Sequence, residues 1–279
     1  MNMSQPIANE YSVGDVVNNP INTNKIAIVS AKGGAGTTSL LANIAWGLSQ
    51  QQNTSVACAD LDFVTGDLDL QFSVQANNAL LEMLQFPDRL EPVIYQRSGI
   101  KVNDDLYVFT GYASGFEQHF WPDVTSMAKV SAFCLQQATH LLWDIPAFCL
   151  RDKVGFDTLN SSDIRVVIVE PTLASIRSTN QLLTKLETSS TTRTLVVLNH
   201  TTPESLSLIT AKDVAATLDR KLDAEIPYSP GYMRTSSALG VLAITQKSRN
   251  AKALKKLVAL ISGDTEASKR RLFRWRKGA

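Results

Sequence analysis

Residues 25–45 restrict what this chain can fold into more than any other stretch. An apolar run, Lys25-Ile26-Ala27-Ile28-Val29, reaches Ser30, and Ala31-Lys32-Gly33-Gly34-Ala35-Gly36-Thr37-Thr38-Ser39 follows it. After that, Leu40, Leu41, Ile44, Ala45 and Leu48 recur at helical spacing. The order is strand, glycine turn, helix. Glycines let a backbone wrap closely around an anion, and the first turn of a helix offers unpaired N–H groups at the positive end of its dipole. The turn is therefore suited to phosphate.

The rest of the chain repeats this alternation. Ser55 to Asp60 reads as a short buried strand that runs into Asp60-Leu61-Asp62. Carboxylates at the end of a parallel strand lie beside the phosphate loop, where ligands of open α/β sheets bind. Residues 77–86 give a short amphipathic helix through Leu80, Leu81 and Leu84, stopped by Pro87. Leu106 to Phe109 reads as a strand, and the connection from Gly111 to Pro122 as a surface loop. His140-Leu141-Leu142-Trp143-Asp144-Ile145 is a buried strand carrying an acid near its end. Residues 164–170 and 193–198 supply two more strands, the second ending in Asn199, and a further strand leads to Ile226-Pro227-Tyr228. Closing helices are expected over 232–242 and 253–261. Such alternation implies an α/β fold: a single doubly wound, mainly parallel sheet with helices on both faces.

With 279 residues, 44% of them apolar, one large domain over 25–264 is expected, between a polar leader at 1–24 and a basic tail at 265–279. A formal net charge of +1 gives no ground for a general polyanion-binding surface. Cys58, Cys134 and Cys149 show no CxxC spacing and read as reduced core residues of a cytoplasmic protein. A calcium loop beginning at Asp60 is ruled out, because Val64 and Thr65 stand where an oxygen ligand and a glycine are required.

The spacing of residues 31–39 resembles the deviant Walker A loop of the MinD/ParA class of P-loop ATPases, with Lys32 in the signature position ahead of the glycine pair. The resemblance implies binding of ATP or ADP with Mg2+ by Lys32, Gly33, Gly34, Ala35, Gly36, Thr37, Thr38 and Ser39. It places the metal shell at Thr38, Asp60 and Asp144, the catalytic carboxylates at Asp62 and Asp144, and contacts to the base at Asn199 and Pro227. It also implies a homodimer in which Lys32 reaches across to the partner's nucleotide. Two features depart from the pattern: the first position of the general P-loop is Ala31 rather than Gly, and the lysine that would follow Gly36 and reach the β- and γ-phosphates is Thr37. Hydrolysis should suffer from that loss more than binding does, since charge builds on the transferring group in the transition state.

Residues 60–72, with Gly66-Asp67-Leu68 and alternating apolar positions through Phe72, resemble the aspartate-rich loop of the CpaE/TadZ branch of that class. This branch assembles tight-adherence (Flp-type) pili, so the implied partners are pilus assembly and secretion machinery. Two alternatives are an active ATPase cycling like MinD or ParA, and a DNA-partition protein; the near-neutral charge does not suit nucleic acid. In the tail, Lys269, Arg270, Arg271, Arg274, Arg276 and Lys277 surround Leu272, Phe273 and Trp275. Its composition resembles the membrane-contacting helix of MinD, which implies peripheral contact with an anionic inner-membrane surface; the alternatives are a solubilising tail without fixed structure and a partner-docking peptide.

Overall fold

The structure is a computed structural model and describes residues 23–111 and 120–263. The leader at 1–22, most of the connection after Gly111, and the tail from 264 lie outside the described residues. Eight strands form one sheet: β1 (Asn24–Ser30), β2 (Val56–Asp60), β3 (Ile100–Asn103), β4 (Leu106–Phe109), β5 (His140–Ile145), β6 (Ile164–Val169), β7 (Arg193–Asn199) and β8 (Ala224–Ile226). Their order is β3-β4-β2-β5-β1-β6-β7-β8, and every pairing is parallel except the β3–β4 edge hairpin.

Strand β1 lies between β5 and β6, with Ile28 level with both Asp144 and Val166. The chain leaves β1 toward β2 on one side and later passes to β6 on the other. The direction of winding thus reverses beside β1, which is where a doubly wound sheet opens its ligand crevice. From Ile26 to Val29, β1 is apolar and buried on both faces: Ile26 and Ile28 point into one core, Ala27 and Val29 into the other.

The first core is covered by α1 (Thr37–Ser49), α2 (Leu68–Phe72), α9 (Pro230–Leu239) and α10 (Arg249–Ile261). Helices α3 (Ala79–Gln85), α4 (Pro92–Ser98), α5 (Val124–Gln137), α6 (Lys153–Asn160), α7 (Leu173–Lys185) and α8 (Ala211–Thr217) cover the opposite face. All three cysteines are free and buried in these cores.

Several elements differ from the periodicity reading: β3 and α5 are not expected from it, and α9 spans Pro230–Leu239 rather than 232–242. Residues 68–72 alternate apolar and polar as a strand would, yet they form the helix α2: Leu68 and Phe72, four apart, are buried, while Leu70 is 63% exposed. Helix α10 begins at Arg249, four residues before the expected start, because the Ser248 hydroxyl accepts from Ala251 N and caps it there. Among the described residues, no helix is long and apolar enough to cross a membrane.

Candidate functional site

The glycine turn joins β1 to α1 at the centre of the sheet's C-terminal edge. Gly34 and Gly36 hold φ of +88° and +86°, a left-handed conformation that disfavours any side chain. The Ser30 hydroxyl ties the turn to itself, donating to Lys32 O at 2.8 Å. Lys32, Gly33 and Gly34 are exposed, and a Cβ on either glycine would meet nothing within 4 Å. Helix α1 starts from Gly36 with no side-chain cap and no acid in its first turn. Its first N–H groups face the turn, so the cradle and the dipole end coincide.

Two carboxylates stand beside this turn. Asp60 and Asp144 are register partners on β2 and β5, and each is only 2% exposed. Burial pushes Asp144 up to about 7; the Thr38 hydroxyl hydrogen-bonded to it pulls the other way, and the charges of Asp67 and Asp62 add to the rise. Asp60 is driven well above the carboxylate range, first by burial and then by Asp144, although the Asp62 amide donates to it at 2.8 Å. Thr38 also hydrogen-bonds to Asp67, so one hydroxyl links the start of α1 to an acid on β5 and to another in the loop before α2.

Among the described residues no group of three or more His, Cys, Asp or Glu is placed to hold a metal by itself. Mg2+ does not require one, since it binds through one or two carboxylates plus water and substrate phosphates. Two adjoining buried carboxylates with a hydroxyl beside them form a hard-oxygen set whose charge a divalent cation would offset. The residues present therefore fit magnesium with a phosphate ligand.

The remaining expected site residues reach the same edge in different states. Asp62 has both oxygens engaged within its own loop: Oδ1 accepts from Val64 N and Thr65 N at 3.1 and 2.7 Å, and Oδ2 from Thr65 Oγ1 at 2.8 Å. Asn199 extends from β7 and donates from Nδ2 to Ala35 O at 2.8 Å. In this arrangement it fastens the glycine turn. Pro227, just after β8, has its carbonyl occupied by Asn250 Nδ2 at 3.0 Å.

Residues to which the sequence assigned no place in the site complete the setting. A Cβ on Gly66 would collide with Asp60 Oδ2 and Asp62 O, and one on Gly111 would lie 2.6 Å from Asp60 O. These glycines let two loops close over the acids. Asn43, buried in α1, donates to Tyr232 OH at 3.0 Å and accepts from Ile244 N at 2.9 Å, which locks α1 to α9 and the segment after it. A polar residue on the apolar face of a helix was the available signal for Asn43.

No known protein family's sequence profile and no curated protein sequence matches the chain. Solved structures do. A ParA family ATPase from Chlorobium tepidum TLS superposes with a TM-score of 0.74 at 24% identity, over 85% of this chain and 98% of that one. A chain of the MinC:MinD cell division protein complex from Aquifex aeolicus gives 0.68 at 20%, over 86% and 96%. The septum site-determining protein MinD from Pyrococcus horikoshii OT3, complexed with Mg-ADP, gives 0.63 at 20%, over 86% and 96%. At these identities the likeness concerns architecture, and the chain has the doubly wound fold of the MinD/ParA P-loop ATPases.

Proposed function

We propose that this protein is a nucleotide-responsive localisation and assembly factor that binds ATP or ADP with Mg2+, dimerises with ATP bound, and hydrolyses it slowly or not at all. The observation that carries the reading is the exposed turn with Gly34 and Gly36 at positive φ, opening on the uncapped start of α1 beside the buried Asp60–Asp144 pair.

In this reading the backbone from Gly33 to Gly36 and the hydroxyls of Thr37, Thr38 and Ser39 bind and orient the phosphates. Thr38, Asp60 and Asp144 would hold Mg2+, directly or through water; when bound, it neutralises charge on the phosphate oxygens. Asp62 and Asp144 are the candidates for positioning water. Asn199 and Pro227 border the space assigned to the base. Thr37 leaves the terminal phosphate without the usual lysine, which supports slow turnover. Lys32, exposed at the rim, is free to meet a second copy.

Assignment to tight-adherence pilus assembly, in the cytoplasm and at the inner-membrane surface, rests on the resemblance of residues 60–72 and of the basic tail. A cycling MinD- or ParA-type ATPase is the second reading, supported by the retained Asp62 and Asp144. Sedimentation velocity tests the dimer. Wild type should shift from monomer to dimer on addition of ATP and Mg2+, and Lys32→Ala should stay largely monomeric. The same monomer–dimer balance in both proteins would remove Lys32 from the interface, and a dimer indifferent to nucleotide would replace the switch with a fixed scaffold.

A further inference from the structure

A cleft of about 610 Å³ opens between α2 and α9, on the face of the sheet covered by α1. Its floor is polar. Ser39 Oγ donates to Gln71 Oε1 at 3.2 Å, and Ser236 Oγ donates to Tyr232 OH at 3.3 Å. Its rim is apolar, with Leu70 and Leu239 63% and 66% exposed. The two helices are joined there by Ser73 Oγ, which donates to Leu239 O at 3.2 Å, and by Gly240 at φ +60°, where a Cβ would lie 2.5 Å from Leu70 O. Asp67 also lines the cleft and hydrogen-bonds to Gln71. No Lys or Arg stands among the described lining residues. The occupant that suits this surface offers apolar side chains to two leucines and a cation to one half-buried acid.

The chain carries such a segment. Beyond Gly263, six cations interleave with Leu272, Phe273 and Trp275. Helix α10 ends beside the end of α1, where Gln51 Nε2 donates to Ser262 Oγ at 3.3 Å. The cleft lies at the start of α1, at Ser39. Helix α1 has 13 residues, and at the helical rise it is about 20 Å long. Allowing one helix spacing of about 10 Å sideways, the path back is roughly 22 Å. The eight residues 264–271, when extended, reach roughly 26–29 Å, which brings Leu272 to the cleft.

We propose that residues 264–279 of the same chain dock in this cleft, with Leu272, Phe273 and Trp275 against Leu70 and Leu239 and a tail arginine against Asp67. The docking does not depend on nucleotide. It places the tail against α2 and the first turn of α1, and any membrane contact of the tail requires its release.

The test is cleavage of the full-length, nucleotide-free protein by an arginine-specific protease, followed by mass spectrometry at Arg270, Arg271, Arg274 and Arg276. Lysines at two exposed rim positions leave the fold intact while repelling the tail. Leu70→Lys/Leu239→Lys should therefore be cut in the tail at least tenfold faster than wild type. Leu206→Lys, at a 75% exposed leucine elsewhere, should be cut at the wild-type rate. Equal rates in wild type and the double variant would overturn the proposal, as would matching acceleration by Leu206→Lys. Protection that grows with protein concentration would assign the cleft to a second copy and would also overturn it.

Discussion

At the residue scale, two positions carry the proposed chemistry. Position 37 lacks the lysine of an active phosphate loop, and a charge-assisted hydrogen bond contributes roughly 1.5–3 kcal/mol. Thr37→Lys should therefore tighten ATP binding about ten- to a hundredfold in calorimetry; unchanged affinity would mean that another cation already serves the phosphates. Asp144, beside the likewise raised Asp60, contributes to pH behaviour. Its folded-state value, about 7, lies above that of an unfolded aspartate, so the folded protein binds the extra proton. The resulting penalty is absent at acid pH, grows as pH rises through the range from roughly 4 to 7, and is complete above it. Without nucleotide, wild type should thus melt at a lower temperature at pH 8 than at pH 5.5. Asp144→Asn should flatten that slope and melt higher than wild type at pH 8. Scanning fluorimetry across pH checks both, and a steeper loss in the variant would contradict the burial argument.

At the element scale, the junction of turn and helix bears the strain. A Cβ on Gly36 would sit 2.8 Å from Asn199 Nδ2 at φ +86°, and the left-handed conformation alone costs a non-glycine residue about 1–2 kcal/mol. Gly36→Ala should lower the denaturant midpoint by at least that equivalent and remove nucleotide binding; a stable variant that still bound ATP would mean the turn can reshape. This junction was legible in the sequence because glycines between an apolar strand and an amphipathic helix have few other readings. Buried strands β1, β5 and β6 were equally plain, being near-continuous apolar runs. Helix α5 was not, since its buried face mixes Ser126 and Ser131 with Met127, Val130, Phe133 and Cys134 and leaves little contrast. The edge strand β3 hid for a related reason: none of its four residues is fully buried, so no apolar pattern marked it. Asp67 was legible as part of a loop, but its link to Thr38 arises only when the β2–α2 loop folds back over α1.

At the scale of the whole molecule, sheet order places the site. Because β5 and β6 flank β1, the ends of three strands meet at one crevice, bringing Ser30, Asp144 and Glu170 to the same edge from distant parts of the sequence. The Asp60–Asp144 pair follows from β2 lying next to β5, an adjacency that spacing along the chain cannot reveal. In the proposed function, this crevice binds a magnesium nucleotide without turning it over quickly. Titration calorimetry of the full chain with ATP, with and without Mg2+, combined with phosphate release on the same sample, tests it most directly. The prediction is saturable binding of one nucleotide per chain, weakened when Mg2+ is withheld, with phosphate release far below that of an active MinD-type enzyme assayed alongside. No binding of ATP or ADP, or release at the active enzyme's rate, would contradict it.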